Sequence, residues 1–147
     1  MPNEQHKLRM QKTYERWLRE VWSKGNVAII DDILTETFVD HRPIPQFGPT
    51  REGHKRLAAD WHIAFPDIKL TIEDIVIDGD KLMGRYSGRG THCGPFVGIP
   101  GTGAMVSFSE IDVVRFAGDR IAEWWHNDGL QPLVRRPMIT PVQPGLP

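Results

Sequence analysis

Apolar residues near the start of the chain recur every three or four positions. Met10, Tyr14, Trp17, Leu18, Val21 and Trp22 share one side, while Lys, Arg, Glu and Gln fill the other. This period predicts an amphipathic helix. Gly25 supplies its stop, and Asn26 can cap the next element. A short second helix is expected over 27–35, burying Ile29, Ile30, Ile33 and Leu34. Phe38-Val39-Asp40-His41 then reads as extended, and the three prolines and one glycine of 43–49 make a loop. Thr50 caps a third helix from Arg51 to about Ala64, with an apolar stripe of Leu57, Ala58, Trp61, Ala64 and Phe65. Pro66 ends it, because proline disfavours a helical residue before it.

After Pro66 the period changes from about 3.6 to 2. Ile68, Leu70 and Ile72 alternate with Lys69, Thr71 and Glu73 in a strand that runs to Ile77. Asp78-Gly79-Asp80-Lys81 is a hairpin signal. The return strand, Leu82 to about His92, holds Gly84, Gly88 and Gly90, which suggests bulges or sharp curvature. A Gly/Pro loop from Gly94 to Gly103 comes next. Two more strands, Met105–Phe116 and Arg120 to about Asn127, are separated by a turn at Ala117-Gly118-Asp119. Helices first and strands afterwards imply an α+β fold. The expected architecture is about three N-terminal helices packed on a strongly curved, mainly antiparallel sheet, forming a cone with an internal pocket. Residues 1–131 would form the cone. Residues 132–147, with five prolines, would form an extended tail.

Composition narrows the class. A chain of 147 residues fits one domain. With 39% hydrophobic and 25% charged residues it is an ordinary globular sequence. Eighteen basic against nineteen acidic residues argue against a nucleic-acid partner. No apolar run reaches the ~18 residues of a membrane span, and the first residues lack the apolar core of a signal peptide. A cytoplasmic protein is the expectation. The single cysteine, Cys93, leaves no intrachain disulfide and no multi-cysteine zinc site.

The familiar phosphate-binding, nucleophile-elbow and H-E-x-x-H zinc motifs are absent. Cys93 beside His92 is a poor nucleophile–base pair, since neighbours on a strand point to opposite faces. The six histidines show no helical i, i+4 pair, so no metal site is expected. Three segments carry possible chemistry. In Trp124-Trp125-His126-Asn127-Asp128, alternation puts Trp124, His126 and Asp128 on one face. Apolar walls there would raise the pKa of the aspartate and make it a stronger base; the plainer reading is a turn cap beside two packing tryptophans. Glu110 and Asp112 share one face of an otherwise apolar strand. They either line a pocket or form salt bridges with Arg85, Arg89 or Arg115 on a solvated face. His41 stands before the proline loop, either at a pocket mouth or as an ordinary surface histidine.

Several of these segments together resemble the SnoaL-like polyketide cyclases and predicted ester cyclases. The matching residues are Phe38-Val39-Asp40-His41, Ala64-Phe65-Pro66-Asp67, Arg89-Gly90-Thr91-His92 with Gly94 to Pro100, Thr102-Gly103, Ile111-Asp112-Val113 and Ile121-Ala122-Glu123-Trp124. They run from about Leu8 to Leu130. The resemblance implies the cone shared with nuclear transport factor two and ketosteroid isomerase, assembled as a homodimer or homotetramer. It also implies a reaction without metal, Schiff base or cofactor. An aspartate at the end of the last strand, here Asp128, would abstract a proton α to a carbonyl, and the enolate would close a ring by intramolecular aldol addition. His126 or His41 would orient the substrate or help the enolate oxygen. Trp61, Phe65, Tyr86, Phe96 and Trp124 would wall the pocket, and His92 and Glu110 would also face the hydrophobic carbonyl substrate. Glu110 stands where the family often has a small residue, and the proline-rich tail replaces a short closing helix. Two other functions stay open on this fold: a non-catalytic binding or association module, and an epoxide or ester hydrolase, which a crowded acidic pocket at Glu110, Asp112 and Asp128 would favour.

Overall fold

The computed structural model describes residues 3–127. The first helix, α1, is Glu4–Arg16, and the Asn3 side chain caps it by accepting from the His6 backbone N at 2.8 Å. The helical period does not continue unchanged to Trp22 as the sequence suggested. Trp17–Ser23 is a π-helical segment, in which i→i+5 bonding widens the turn. The widened turn buries Trp17, Leu18, Val21 and Trp22 together, and the Ser23 hydroxyl donates to the Leu18 carbonyl at 3.1 Å.

The second helix is also shorter than expected. A 3-10 turn, Val27–Ile29, leads into α2, Ile30–Ile33, and strand β1 already begins at Leu34 (Leu34–Asp40). The β-branched Thr35, Thr37 and Val39 favour extension, and pairing with the last strand decides the matter. The third helix, α3 (Arg51–Ala64), has the expected bounds, with Thr50 Oγ1 accepting from the Gly53 N.

Strands β2 (Lys69–Asp78), β3 (Lys81–Thr91), β4 (Met105–Ala117) and β5 (Arg120–His126) complete a five-stranded sheet in the order β1-β5-β4-β3-β2. The sheet is mixed: β1 runs parallel to β5, and the other pairs are antiparallel. The β3 glycines do not mark bulges in that strand's pairing with β4, which is continuous from Lys81↔Arg115 to Thr91↔Met105. The irregularity falls between Ile72 and Asp74 of β2. Gly84 and Gly88 face inward and make room for large side chains. A Cβ at Gly84 would lie 2.3 Å from the Tyr14 hydroxyl, and one at Gly88 would lie 2.6 Å from Phe108. The concave face of the sheet and the helices over it enclose one aromatic core, built on Tyr14, Trp17, Trp22, Trp61, Phe65 and Trp124.

Candidate active site

Alternation along three neighbouring strands brings polar groups into this core. Phe38 and Asp40 of β1, Glu110 and Asp112 of β4, and Trp124 of β5 are buried, with His126 of β5 partly so. The alternatives for Glu110 and Asp112 resolve in favour of the interior. Asp112 Oδ2 accepts from the Tyr14 hydroxyl at 2.8 Å, and its Oδ1 accepts from Trp124 Nε1 at 2.9 Å. Burial raises its pKa to about 6, against the opposing pull of the Trp124 and Tyr14 hydrogen bonds and the nearby His126 charge. Tyr14 is itself pushed far above its ordinary pKa, by burial and then by the Asp112 charge. Gly84 is the register partner of Asp112 on β3, and its missing side chain lets the Tyr14 ring reach the carboxylate.

Beside this cluster, His126 Nε2 lies 2.8 Å from Asp40 Oδ1 in a nearly buried pair. The parallel register Asp40↔Trp124 brings the two strands together there. Asp40 Oδ1 also accepts from the Arg42 backbone N at 2.9 Å. The His126 ring stacks on Trp124 with centroids 3.8 Å apart, and its Nδ1 lies 3.2 Å from the Asn127 carbonyl oxygen. His54 completes the polar interior. Its Nε2 accepts from Trp17 Nε1 at 3.1 Å, and burial lowers its pKa to about 4, so it is a neutral packing residue.

Trp61, Tyr86 and Trp124 converge on one small cavity in the cone, together with Trp22, Leu70 and Phe108. Tyr86 is the register partner of Glu110, and burial followed by the Asp112 and Glu110 charges raises its pKa. Phe65, His92 and Phe96 form a separate buried group behind Trp61: Phe65 packs on Trp61 at 4.5 Å and stacks on His92 at 5.2 Å. Cys93 is exposed while His92 is buried.

His41 does not join His126. On β1 the alternation that buries Phe38 and Asp40 turns the next position outward. His41 stacks on Trp125 at 4.6 Å and bonds Glu123 Oε1 at 2.9 Å on the outer face. The placement at a pocket mouth is therefore corrected, and Trp125 is likewise not a core residue. Asp128 and the 132–147 tail lie outside the described residues. The sequence reading passed over Asp40 and Tyr14. Asp40 could have been found from its period-2 spacing to the apolar Phe38, whereas Tyr14 gave no local sign of a partner on β4. Among the described residues no three His, Cys, Asp or Glu side chains are grouped to hold a metal ion, and no helix is long and apolar enough to cross a membrane.

The sequence pattern described as SnoaL-like polyketide cyclase matches residues 12–135. The chain belongs to this family. Solved structures agree with that assignment in fold. A proposed polyketide cyclase from Bacillus cereus superposes with a TM-score of 0.74 at 27% identity, covering 86% of this chain and 78% of that one. IdmH of Streptomyces antibioticus, a proposed polyketide cyclase, gives 0.67 at 28% identity over 80% and 90% of the two chains. TsrD of Streptomyces laurentii gives 0.73 at 23% over 91% and 98%, a likeness of fold alone. No curated protein matches. Within this SnoaL-like cone, the fold places Asp40, Asp112, His126, Tyr14 and the neutral His54 around Trp124.

Proposed function

We propose that this SnoaL-like protein is a cofactor-independent cyclase or isomerase acting on a polyketide-like or polycyclic carbonyl compound. Asp128 takes a proton from the carbon α to a carbonyl, and the electrons of that C–H bond move into an enolate. The enolate carbon attacks a second carbonyl of the same molecule, a C–C bond forms, and the new alkoxide takes back the proton from Asp128. His126, its Nε2 held by Asp40 and its Nδ1 beside the Asn127 carbonyl, orients the substrate. Trp61, Tyr86 and Trp124 wall the pocket, while Phe65, His92 and Phe96 back Trp61 and Glu110 lies beside Tyr86. The observation that carries this reading is the buried Asp40–His126 pair stacked on Trp124. It fixes a polar group in an aromatic, water-poor site, where oriented dipoles act most strongly on developing charge. The test is exchange of α protons in D2O, followed by NMR over a panel of cyclic and 1,3-dicarbonyl compounds. Exchange that is lost in Asp128→Asn supports the assignment, and exchange undiminished in that variant rejects it.

The inward-facing carboxylates of Asp40, Glu110 and Asp112 favour hydrolysis of an epoxide or ester as a second reading, since several acceptors can hold and activate one water. Incorporation of 18O from labelled water into a diol or acid product would separate it from ring closure. A second copy of the chain is the partner this reading expects. Exposed Val39, Met83 and Ile111 lie on the outer face of the sheet, and light scattering of wild type and Ile111→Arg tests whether that face joins two copies.

A further inference from the structure

A small groove lies on the exposed side of α3. Asp60 and Ile63 of α3 line it together with Gln46 and the loop residues Pro95–Gly98. Its space is about 180 Å³, below the roughly 300 Å³ at which small-molecule pockets begin. That is room for a side chain or two. The floor is apolar: Phe96 is buried, packs on Trp61 at 5.8 Å and stacks on Phe47 at 6.5 Å. Ile63 is 60% exposed, so an apolar wall stands uncovered. Asp60 is half-buried, and its carboxylate has no partner among the described residues. Arg56, one turn earlier on α3, sends its guanidinium to the Phe47 carbonyl at 2.9 Å instead.

The loop wall of the groove is strained. Phe96 and Ile99 exchange two backbone hydrogen bonds, at 2.8 and 2.9 Å, which makes Val97-Gly98 a two-residue turn. The φ angles are 47° at Val97 and 78° at Gly98, a pattern that Asn-Gly suits best. A β-branched residue at positive φ is a genuine outlier, and such strain persists where it serves a site. Asparagine or glycine would turn the chain more easily but would remove the apolar side chain from the groove wall. The groove thus offers apolar contact from Ile63, Phe96 and Val97 and one negative charge from Asp60. It suits an apolar segment that carries a cation.

The chain contains such a segment. Residues 129–147 include no acidic side chain, and their basic ones are Arg135 and Arg136, set between Leu133-Val134 and Pro137-Met138. Their starting point is fixed: Asn127 Oδ1 accepts from the Ile111 N at 3.0 Å. Beyond the last β4–β5 pair, Asp112↔His126, the antiparallel direction runs along β4 toward Met105. Met105 pairs with Thr91, and the His92 N donates to the Ala104 carbonyl at 2.9 Å, so this direction ends at the base of the loop that carries Pro95–Gly98. At about 3.4 Å per residue, the stretch from Ile111 to Met105 covers roughly 20 Å. The chain from Asn127 to Arg135 reaches up to about 27 Å. We propose that the segment Leu133–Met138 docks in the groove of its own chain, with an arginine on Asp60 and its apolar neighbours against Ile63, Phe96 and Val97. Pro132 and Pro137 have no N–H, so the segment binds through side chains and not as an added strand. Once docked, it braces the loop against α3 behind Trp61. The proposal stands apart from the reaction assigned to the interior.

The test uses the full chain with a nitroxide on Cys93, its single cysteine. Cys93 is exposed, and its neighbour Gly94 lies against Ile63. Broadening of amide signals in the 15N-labelled protein then reports which residues come close to the groove. Leu133, Val134, Arg135, Arg136 and Met138 should broaden more than Gln143, Gly145 and Leu146. Asp60→Asn should reduce that contrast, and so should Arg135→Gln combined with Arg136→Gln. Trypsin cleavage after Arg135, followed by mass spectrometry, measures the strength of docking. Asp60→Asn should speed it about fivefold, the worth of one partly exposed ion pair. Broadening that is flat along 129–147, or broadening and cleavage that are the same in wild type and Asp60→Asn, would overturn the proposal. In a mixture of nitroxide-bearing 14N chains with 15N chains that lack it, the broadening should vanish. Broadening that persists there would give the groove to a second copy and overturn docking within one chain.

Discussion

His126 and Asp40 meet at 2.8 Å although 86 positions separate them in the chain. Both side chains are nearly buried, and the pair exists because β1 runs parallel to β5 at this point. Removing the carboxylate leaves the buried His126 and Arg42 donors without their acceptor, which costs about 2–3 kcal/mol. Asp40→Ala should therefore destabilise the protein by about that amount. Asp40→Asn keeps an oxygen for the His126 and Arg42 donors and should cost less, about 1–2 kcal/mol. Urea unfolding of the two variants checks the order. Equal costs would mean that the carboxylate does not serve as the histidine's partner.

Asp112 and His54 titrate across overlapping pH intervals with opposite consequences. Burial raises Asp112 from the ordinary 3.8 to about 6, so between these values the folded state holds a proton that the unfolded chain has released. Stability falls as pH rises through that interval. Burial lowers His54 from 6.5 to about 4, so here the unfolded chain holds the extra proton and stability rises with pH. Each effect is worth about 3 kcal/mol across its interval, and in the wild type they largely cancel. Asp112→Asn should expose the His54 slope, with stability rising from pH 4 to 6.5. His54→Gln, which keeps an acceptor for Trp17, should expose the opposite slope. Unfolding free energies of the three proteins measured from pH 4 to 7 decide it, and parallel profiles would refute the assignment.

Gly84 and Tyr14 form a second coupled pair. A Cβ at residue 84 would lie 2.3–2.5 Å from three atoms of the Tyr14 phenol, too close to coexist without a shift. Gly84→Ala should thus cost about 1–3 kcal/mol by overpacking and weaken the Tyr14–Asp112 hydrogen bond. In a Tyr14→Ala background the same substitution meets no ring and should cost little. A double-mutant cycle read by chemical denaturation should show coupling of at least about 1 kcal/mol, and additive costs would mean that the glycine serves some other purpose.

Local signals in the chain are accurate where local physics decides. The Thr50 cap, the Leu57–Trp61 stripe and Pro66 bound α3, and the Asp78-Gly79-Asp80 turn fixes the β2–β3 hairpin. The shared face of Glu110 and Asp112 comes from a period of two, but which side is inward depends on helices more than 90 positions earlier, since Tyr14 reaches Asp112 over 98 residues. The parallel β1–β5 pairing is equally non-local. Without it, Asp40 and His41 look alike as candidates, and a shift of one residue along a strand exchanges interior for surface. The π-helical turn is hidden for another reason. Trp17, Leu18, Val21 and Trp22 fit an ordinary helical period as sequence, and only the aromatic packing around Trp17 and Trp22 shows why all four are turned inward.

His41 provides the last contrast. Its ring stacks on Trp125, and with Arg115 it flanks the Glu123 carboxylate. Arg115 first and His41 second hold Glu123 below its ordinary pKa, but the group sits on the open outer face of the sheet, where solvent screens it. Ion pairs in such places contribute less than about 1 kcal/mol. His41→Ala should therefore lower stability only slightly and leave α-proton exchange unchanged, because no atom of His41 needs to cross the sheet. His126→Ala removes the oriented ring that Asp40 holds beside Trp124 and should reduce the same exchange by about 10²-fold or more. Measured side by side on the compound that exchanges fastest in wild type, the two histidines should separate cleanly. A large loss in His41→Ala with normal unfolding would show that the outer face takes part in the reaction and that the interior alone does not make the site.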